Sequence, residues 1–226
     1  MAPMAGTQDL LVEKPRTSLS RWSSPAYGLV ALTAFAAIVG VWLLMVRDDG
    51  RSPVRATADL FLTFTHLTTL LVGVVAVLIA VSSTWRWLTL SHLTVTAMAV
   101  VTSVVNMALL DPALAHDWWG VVDFAEHYLI PVALLTLWLA IGPRFTMSWS
   151  TVLAVTAVPM SWLAVVLVRG TATDEYPYDF LDVGENGWGS VSLMIVAILV
   201  FMLAVGAALV GVDRIRSHGK VTGTRA

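Results

Sequence analysis

Cysteine is missing from all 226 residues, which removes disulfide frameworks, Cys-ligated zinc, iron–sulfur clusters and thiol nucleophiles. Charge is scarce as well: charged residues make up 12% of the chain, about half of what a soluble domain carries, so a water-soluble globular protein is excluded. Basic excess is lacking too, with 13 Lys and Arg against 15 Asp and Glu, and no nucleic-acid partner is expected. No ring of charges or glycine-rich filter suggests a channel, and no pair of broken helices suggests a secondary transporter.

What is present in abundance is apolar length. Hydrophobic residues reach 58% and mean hydropathy is +0.80. A spanning helix needs about 20 mostly apolar residues to cross a hydrocarbon core of roughly 30 Å. Six stretches qualify, approximately Pro25 to Val46, Leu60 to Ser82, Leu88 to Leu110, Phe124 to Ile141, Ser148 to Val168 and Trp188 to Val212. The expected fold is an all-α polytopic membrane protein, a bundle of six transmembrane helices flanked by tails at 1–24 and 213–226. The first 24 residues hold Lys14, Arg16 and Arg21 without an apolar run, so they read as a tail rather than a cleavable signal.

An even number of spans puts both termini on one side. That side would carry the basic tails, Arg86 and Arg144, while the other has only Arg47, Arg51, Arg55 and Arg169, which predicts cytoplasmic termini in a cell membrane. The far side is acidic, with Asp111, Asp117 and Asp123 in the third loop and Asp174, Glu175, Asp179, Asp182 and Glu185 in the fifth. Most tryptophans fall near span ends, as amphipathic rings do, and Trp162 is the exception. The stretch Arg169 to Gly187 is the one loop long enough to build something specific, and its Tyr176, Tyr178 and Phe180 suggest that it folds back on the interface.

Ionisable groups at membrane depth are costly and so point to function or to a partner. Glu126 and His127 open the fourth span, Asp59 and His66 the second, Asn106 lies near the outer end of the third and His92 near its inner start. Most of them sit toward the same side as the acidic loops, which predicts one polar pocket opening there. On the second span, at about 100° per residue, Thr65, Thr68 and Thr69 share one face, while Asp59, Thr63 and His66 share nearly the opposite one. The ordinary fate of a membrane threonine is a hydrogen bond to the carbonyl one turn back or to a neighbouring helix. His127 could likewise be a satisfied helix-contact or pH-sensitive histidine. No HxxxH or HxxE pair surrounds it, and a metal would have to be assembled from His66, His116, His127 and distant carboxylates, so neither metal nor cofactor is expected.

Three segments, in order, carry a resemblance. They are Phe64-Thr65 followed by Thr68-Thr69, then His127-Tyr128-Leu129-Ile130-Pro131 leading to Trp138, then Val168-Arg169-Gly170 with Tyr176-Pro177-Tyr178-Asp179-Phe180-Leu181-Asp182-Val183. With the six-span layout, they make the chain resemble the bacterial branch of the androgen-induced-gene family of six-pass membrane proteins. Animal members hydrolyse fatty acid esters of hydroxy fatty acids. The resemblance implies a threonine nucleophile on the second span and a histidine base on the fourth, carried over to Thr65 and His127. Thr63 is the alternative nucleophile, because Phe61-Leu62-Thr63-Phe64 matches the animal motif. Leu137 stands where the bacterial pattern usually has Asp, and Asp179 replaces a Pro.

A threonine hydroxyl needs an adjacent base, and an oxyanion needs donors, for which Asn106 or a tyrosine of the fifth loop would serve. Glu126, Asn106, Tyr176, Tyr178 and Asp182 are therefore the expected supporting or substrate-binding residues. Membrane lipids are the expected partners, with a lipid ester as substrate. The alternative is a non-enzymatic membrane protein that binds a lipid or small molecule in the same polar pocket.

Overall fold

The computed structural model describes residues 23–81, 86–110, 117–141 and 149–222. Expectations placed on the N-terminal tail, Asp111, His116 and the Arg144 loop lie outside them. Among the described residues the chain is all-helical, and six of its helices are long and apolar enough to cross a membrane.

The first, α1 (Ser23–Arg47), packs lengthwise on α3 (Phe64–Val81), which packs on α4 (Arg86–Leu109). Close approach of α1 and α3 is possible because Gly73 has no side chain where the Phe35 ring lies; a Cβ there would sit 3.1 Å from it. The second described helix, α2 (Pro53–Leu62), is a separate short element. Ser52 caps its start, accepting the Arg55 N–H at 3.2 Å, and Pro53 supplies a preset φ where no N–H is needed. The expected single span from Leu60 is thus corrected: Thr63 is extended (φ −89°, ψ 120°), α2 ends before it, and the membrane-length helix begins at Phe64.

The fourth membrane-length helix also starts earlier than its apolar run, at Trp118 rather than Phe124. Asp117 caps it by accepting the Gly120 N–H at 2.9 Å. It comprises α5 (Trp118–Phe124), a π turn (Ala125–Leu129) and α6 (Ile130–Ala140). In the π turn the Ile130 N–H reaches back to the Ala125 carbonyl, five residues away. Pro131 follows at once; its ring would clash with the carbonyl four residues back, that of His127, in a regular helix.

Beyond α7 (Ser150–Ala154) runs α8 (Ala157–Thr173), closed by Asp174 in the left-handed region at φ 55°. The stretch read as one loop from Arg169 is therefore mostly ordered. Helix α8 continues to Thr173, a 3-10 turn covers Asp179–Leu181, and α9 (Val183–Thr222) begins before Gly187, where it kinks at φ 72°. The sixth span predicted from Trp188 starts just past that kink. At its other end α9 runs through positions assigned to a C-terminal tail.

Two apolar clusters fill the bundle, one chiefly among α1, α3 and α6 with residues of α2, α4 and α5, and one among α4, α6, α7 and α9. A smaller third one, around Val166, Leu181 and Val191, joins α8, the Tyr-Pro-Tyr segment and α9 at the end where the first, third and fifth connections lie.

Candidate active site

At that end the α2–α3 break, the π turn and the Tyr-Pro-Tyr segment meet. Thr65, Thr68 and Thr69 form the buried face of α3, as helical spacing predicts. Several threonines at membrane depth here bond their own helix: Thr96, Thr102 and Thr136 each donate to the carbonyl four residues back, at 2.7–2.8 Å. Thr65 does not. Its Oγ1 lies 3.2 Å from His127 Nε2, and both residues are buried.

The other face of the imidazole is held by Asp123, one turn earlier. His127 Nδ1 is 2.9 Å from an Asp123 carboxylate oxygen and 3.2 Å from the Asp123 carbonyl. Two acceptors around Nδ1 favour the tautomer with its proton there, leaving Nε2 free to accept from the threonine hydroxyl. The result is a hydroxyl, imidazole and carboxylate in series. Asp123 escaped the sequence reading as one of several loop acids; its position four residues before His127 was the signal available.

Tyr178 completes the surroundings of Thr65. Its phenol oxygen accepts the Thr65 N–H at 3.3 Å and lies 3.4 Å from Oγ1. Burial pushes the Tyr178 phenol above its ordinary pKa, so it stays protonated and able to donate. The Trp162 indole donates to the Leu62 carbonyl at 3.1 Å, a group that the break at Thr63 leaves without a helical partner. Its ring also lies against Phe64 and Tyr178. The tryptophan that did not fit an interfacial belt thus braces the site.

A second imidazole–carboxylate pair stands beside the first. His66 Nδ1 donates to Glu126 at 3.0 Å, and Glu126 is only 4% exposed. Glu126 therefore pairs with His66 rather than with its chain neighbour His127. Consecutive residues of α3 meet consecutive residues of the π turn.

Two cavities flank this junction. On one side is a partly open apolar cavity, walled by Phe64 and Thr65 together with residues of α4, α8, α9 and the Tyr178–Leu181 segment. On the other is a polar vestibule of about 650 Å³, bordered by Asp59, Thr63, His66, Arg169 and Tyr176. Thr63 and Thr65 thus face different compartments, and His127 meets Thr65. In the vestibule wall Asp59 accepts from Arg51 at 2.8 Å and Arg55 at 3.1 Å. Glu175 joins Arg55 to Arg169, and these hydrogen bonds hold its carboxyl below the ordinary range.

The remaining expected residues make no hydrogen bond to Thr65 or His127 among the described residues. Asn106 is buried on α4, and its amide nitrogen has no hydrogen-bond partner among the described residues. Asp182 caps α9, accepting the Glu185 N–H at 3.1 Å. Tyr176 packs over Gly170, and His92 sits toward the opposite end of the bundle against Tyr27 and Trp138. No group of metal-ligating side chains occurs among the described residues. No family model, curated protein or solved structure matches the chain.

Proposed function

We propose that the chain is an intramembrane hydrolase of lipid esters, with Thr65 as nucleophile and His127 as base. The observation that carries this reading is the series Thr65 Oγ1, His127 Nε2, His127 Nδ1 and Asp123, with each link at hydrogen-bond length. Thr65 Oγ1 attacks the ester carbonyl while its proton passes to Nε2. The departing alcohol takes that proton, and water then cleaves the acyl-threonine by the same route in reverse. Asp123 keeps the proton on Nδ1 and stabilises the imidazolium that forms. Tyr178 O–H, next to Oγ1, is the donor for the developing oxyanion, in place of Asn106.

In this reading the helices lie in a cell membrane, membrane lipids surround them, and the termini are cytoplasmic because Lys and Arg concentrate on that side. The vestibule then faces outward. Fatty acid esters of hydroxy fatty acids are the substrate class that the sequence resemblance favours.

The test is fluorophosphonate labelling of the folded protein in nanodiscs. Thr65→Ala abolishes labelling, Thr63→Ala preserves it, and His127→Ala slows it by about 10²–10⁴-fold. Asp123→Asn costs less, about tenfold, because the Asp123 carbonyl still holds Nδ1 when a charged hydrogen bond of about 1.5 kcal/mol is weakened. Labelling that survives Thr65→Ala, or is absent from the folded parent, overturns the proposal.

A further inference from the structure

The shape of the apolar cavity carries an inference about which ester fits, and it rests on the hydrolase reading. The cavity begins at Thr65 and Leu110, at the end of the bundle where the catalytic series lies, and runs inward along α4 to Val101. Nine residues at about 1.5 Å each make this about 13 Å. Its floor is Met202 of α9 beside Val101, each only 2% exposed. Thr102 is the one polar residue in the deep wall, and its hydroxyl is turned away to the Met98 carbonyl, leaving an apolar lining.

One flank is different. Met160 of α8 and Ile195 and Leu199 of α9 line the cavity yet remain partly exposed, and these two helices make no extensive backbone contact with each other. Below Thr65 and Tyr178 the lining is apolar, so it suits a hydrocarbon chain and offers a polar group no partner. The open flank faces where acyl chains of a bilayer would lie.

We infer that this cavity is an acyl-chain ruler: it takes one saturated chain of about ten to twelve carbons from the bilayer side, with Met202 setting the limit. An extended tetrahedral chain advances about 3.3–3.6 Å for every three bonds, so about 13 Å holds roughly eleven bonds. Met202 therefore acts as a specificity residue, remote from the chemistry. Each methylene buried before the floor raises the rate up to about fourfold, and methylenes beyond it add nothing.

The experiment uses n-alkyl fluorophosphonates graded from butyl to octadecyl on nanodisc protein. Labelling rate is expected to climb to a break at decyl to dodecyl. Met202→Ala moves the break to longer probes and Met202→Trp to shorter ones, whereas Met107→Ala, on an exposed face of α4 away from the cavity, leaves it in place. A second arm needs no catalysis: the Thr65→Ala protein is titrated with n-alkanols of the same lengths, and its thermal stabilisation is expected to break at the same length. A break that ignores Met202 in both arms, or no break in either, overturns the ruler. Absent labelling of the parent together with an intact, Met202-dependent thermal break overturns the catalytic reading and upholds the ruler.

Discussion

The two sides of the bundle are packed to different standards. In the third membrane-length helix 67% of the apolar stretch is buried against other parts of the chain, whereas in the fifth and sixth the shares are 17% and 22%. Around α4 the interior holds Trp138, His92 and Tyr27 with no exposed surface at all. Around α8 and α9 the walls are partly open and a cavity separates them. The Thr65–His127–Asp123 series lies at the seam, with Thr65 on a helix anchored in the tight half and Tyr178 on the segment that ties in the loose half. A rigid backing fixes Thr65, and a looser, partly open wall stands beside it.

The contrast is sharpest for large-to-small substitutions. Trp138→Ala is expected to cost about 3–5 kcal/mol, because the surrounding helices cannot collapse into the space. Leu199→Ala, on the cavity wall, is expected to cost well under that, about 1 kcal/mol or less, since its neighbours never closed around it. Unfolding of the reconstituted variants measures both. Equal losses would erase the distinction between the halves.

Next in size is Gly170→Ala. A Cβ there would lie 2.1 Å from the Tyr176 ring, so the ring must leave. Overpacking of this kind costs about 1–3 kcal/mol, and Tyr178, two residues along, is drawn from Thr65. Slowed fluorophosphonate labelling with the fold retained is the expected result. A smaller pair of changes should differ in sign: Gly73→Ala forces the Phe35 ring back in the tight half and destabilises by about 1 kcal/mol. Gly206→Ala meets Val152 only at an ordinary 3.5 Å and gains a few tenths from helix propensity, up to about 1 kcal/mol. Thermal melts of the two variants on either side of the parent value check this.

The smallest effect is electrostatic. The Glu175 carboxyl is held below its ordinary pKa by Arg169 and Arg55, so its contribution is present above the unfolded-state value and is lost as pH falls through the lowered folded value. Acidification below the ordinary carboxylate range is expected to free the end of α8 from α2, seen as faster proteolysis near Glu175. Glu175→Gln should show that cleavage at neutral pH and no further change with acid.

Much of this arrangement was legible from residue order alone. Six apolar runs gave the six long helices, and the spacing of Thr65, Thr68 and Thr69 gave the buried face of α3. The break at Thr63 was not legible, because Leu60 to Phe64 is an unbroken apolar run except for one threonine. What favours the break is distant: Trp162, a hundred residues on, hydrogen-bonds the carbonyl that the break leaves open. Nor did adjacency in sequence reveal the true partners of Glu126 and His127, which point to His66 and to Thr65. Asp123 looked like a solvated loop acid because Phe124 marked the start of apolar length, while the helix had begun at Trp118.

The π turn between Asp123 and Pro131 acts as a phase shifter. Because it uses one residue more than a regular turn, α5 is rotated by about 100° relative to the register that α6 would impose. Leu134 and Trp138 can therefore obey the packing of the core while Asp123 faces His127. Deleting a single residue from Ala125–Leu129 would restore a regular helix and force the two faces into one register. Either the core or the Thr65–His127–Asp123 series would then have to give way, so tolerance to a one-residue deletion here would show how far the site is independent of the bundle that carries it.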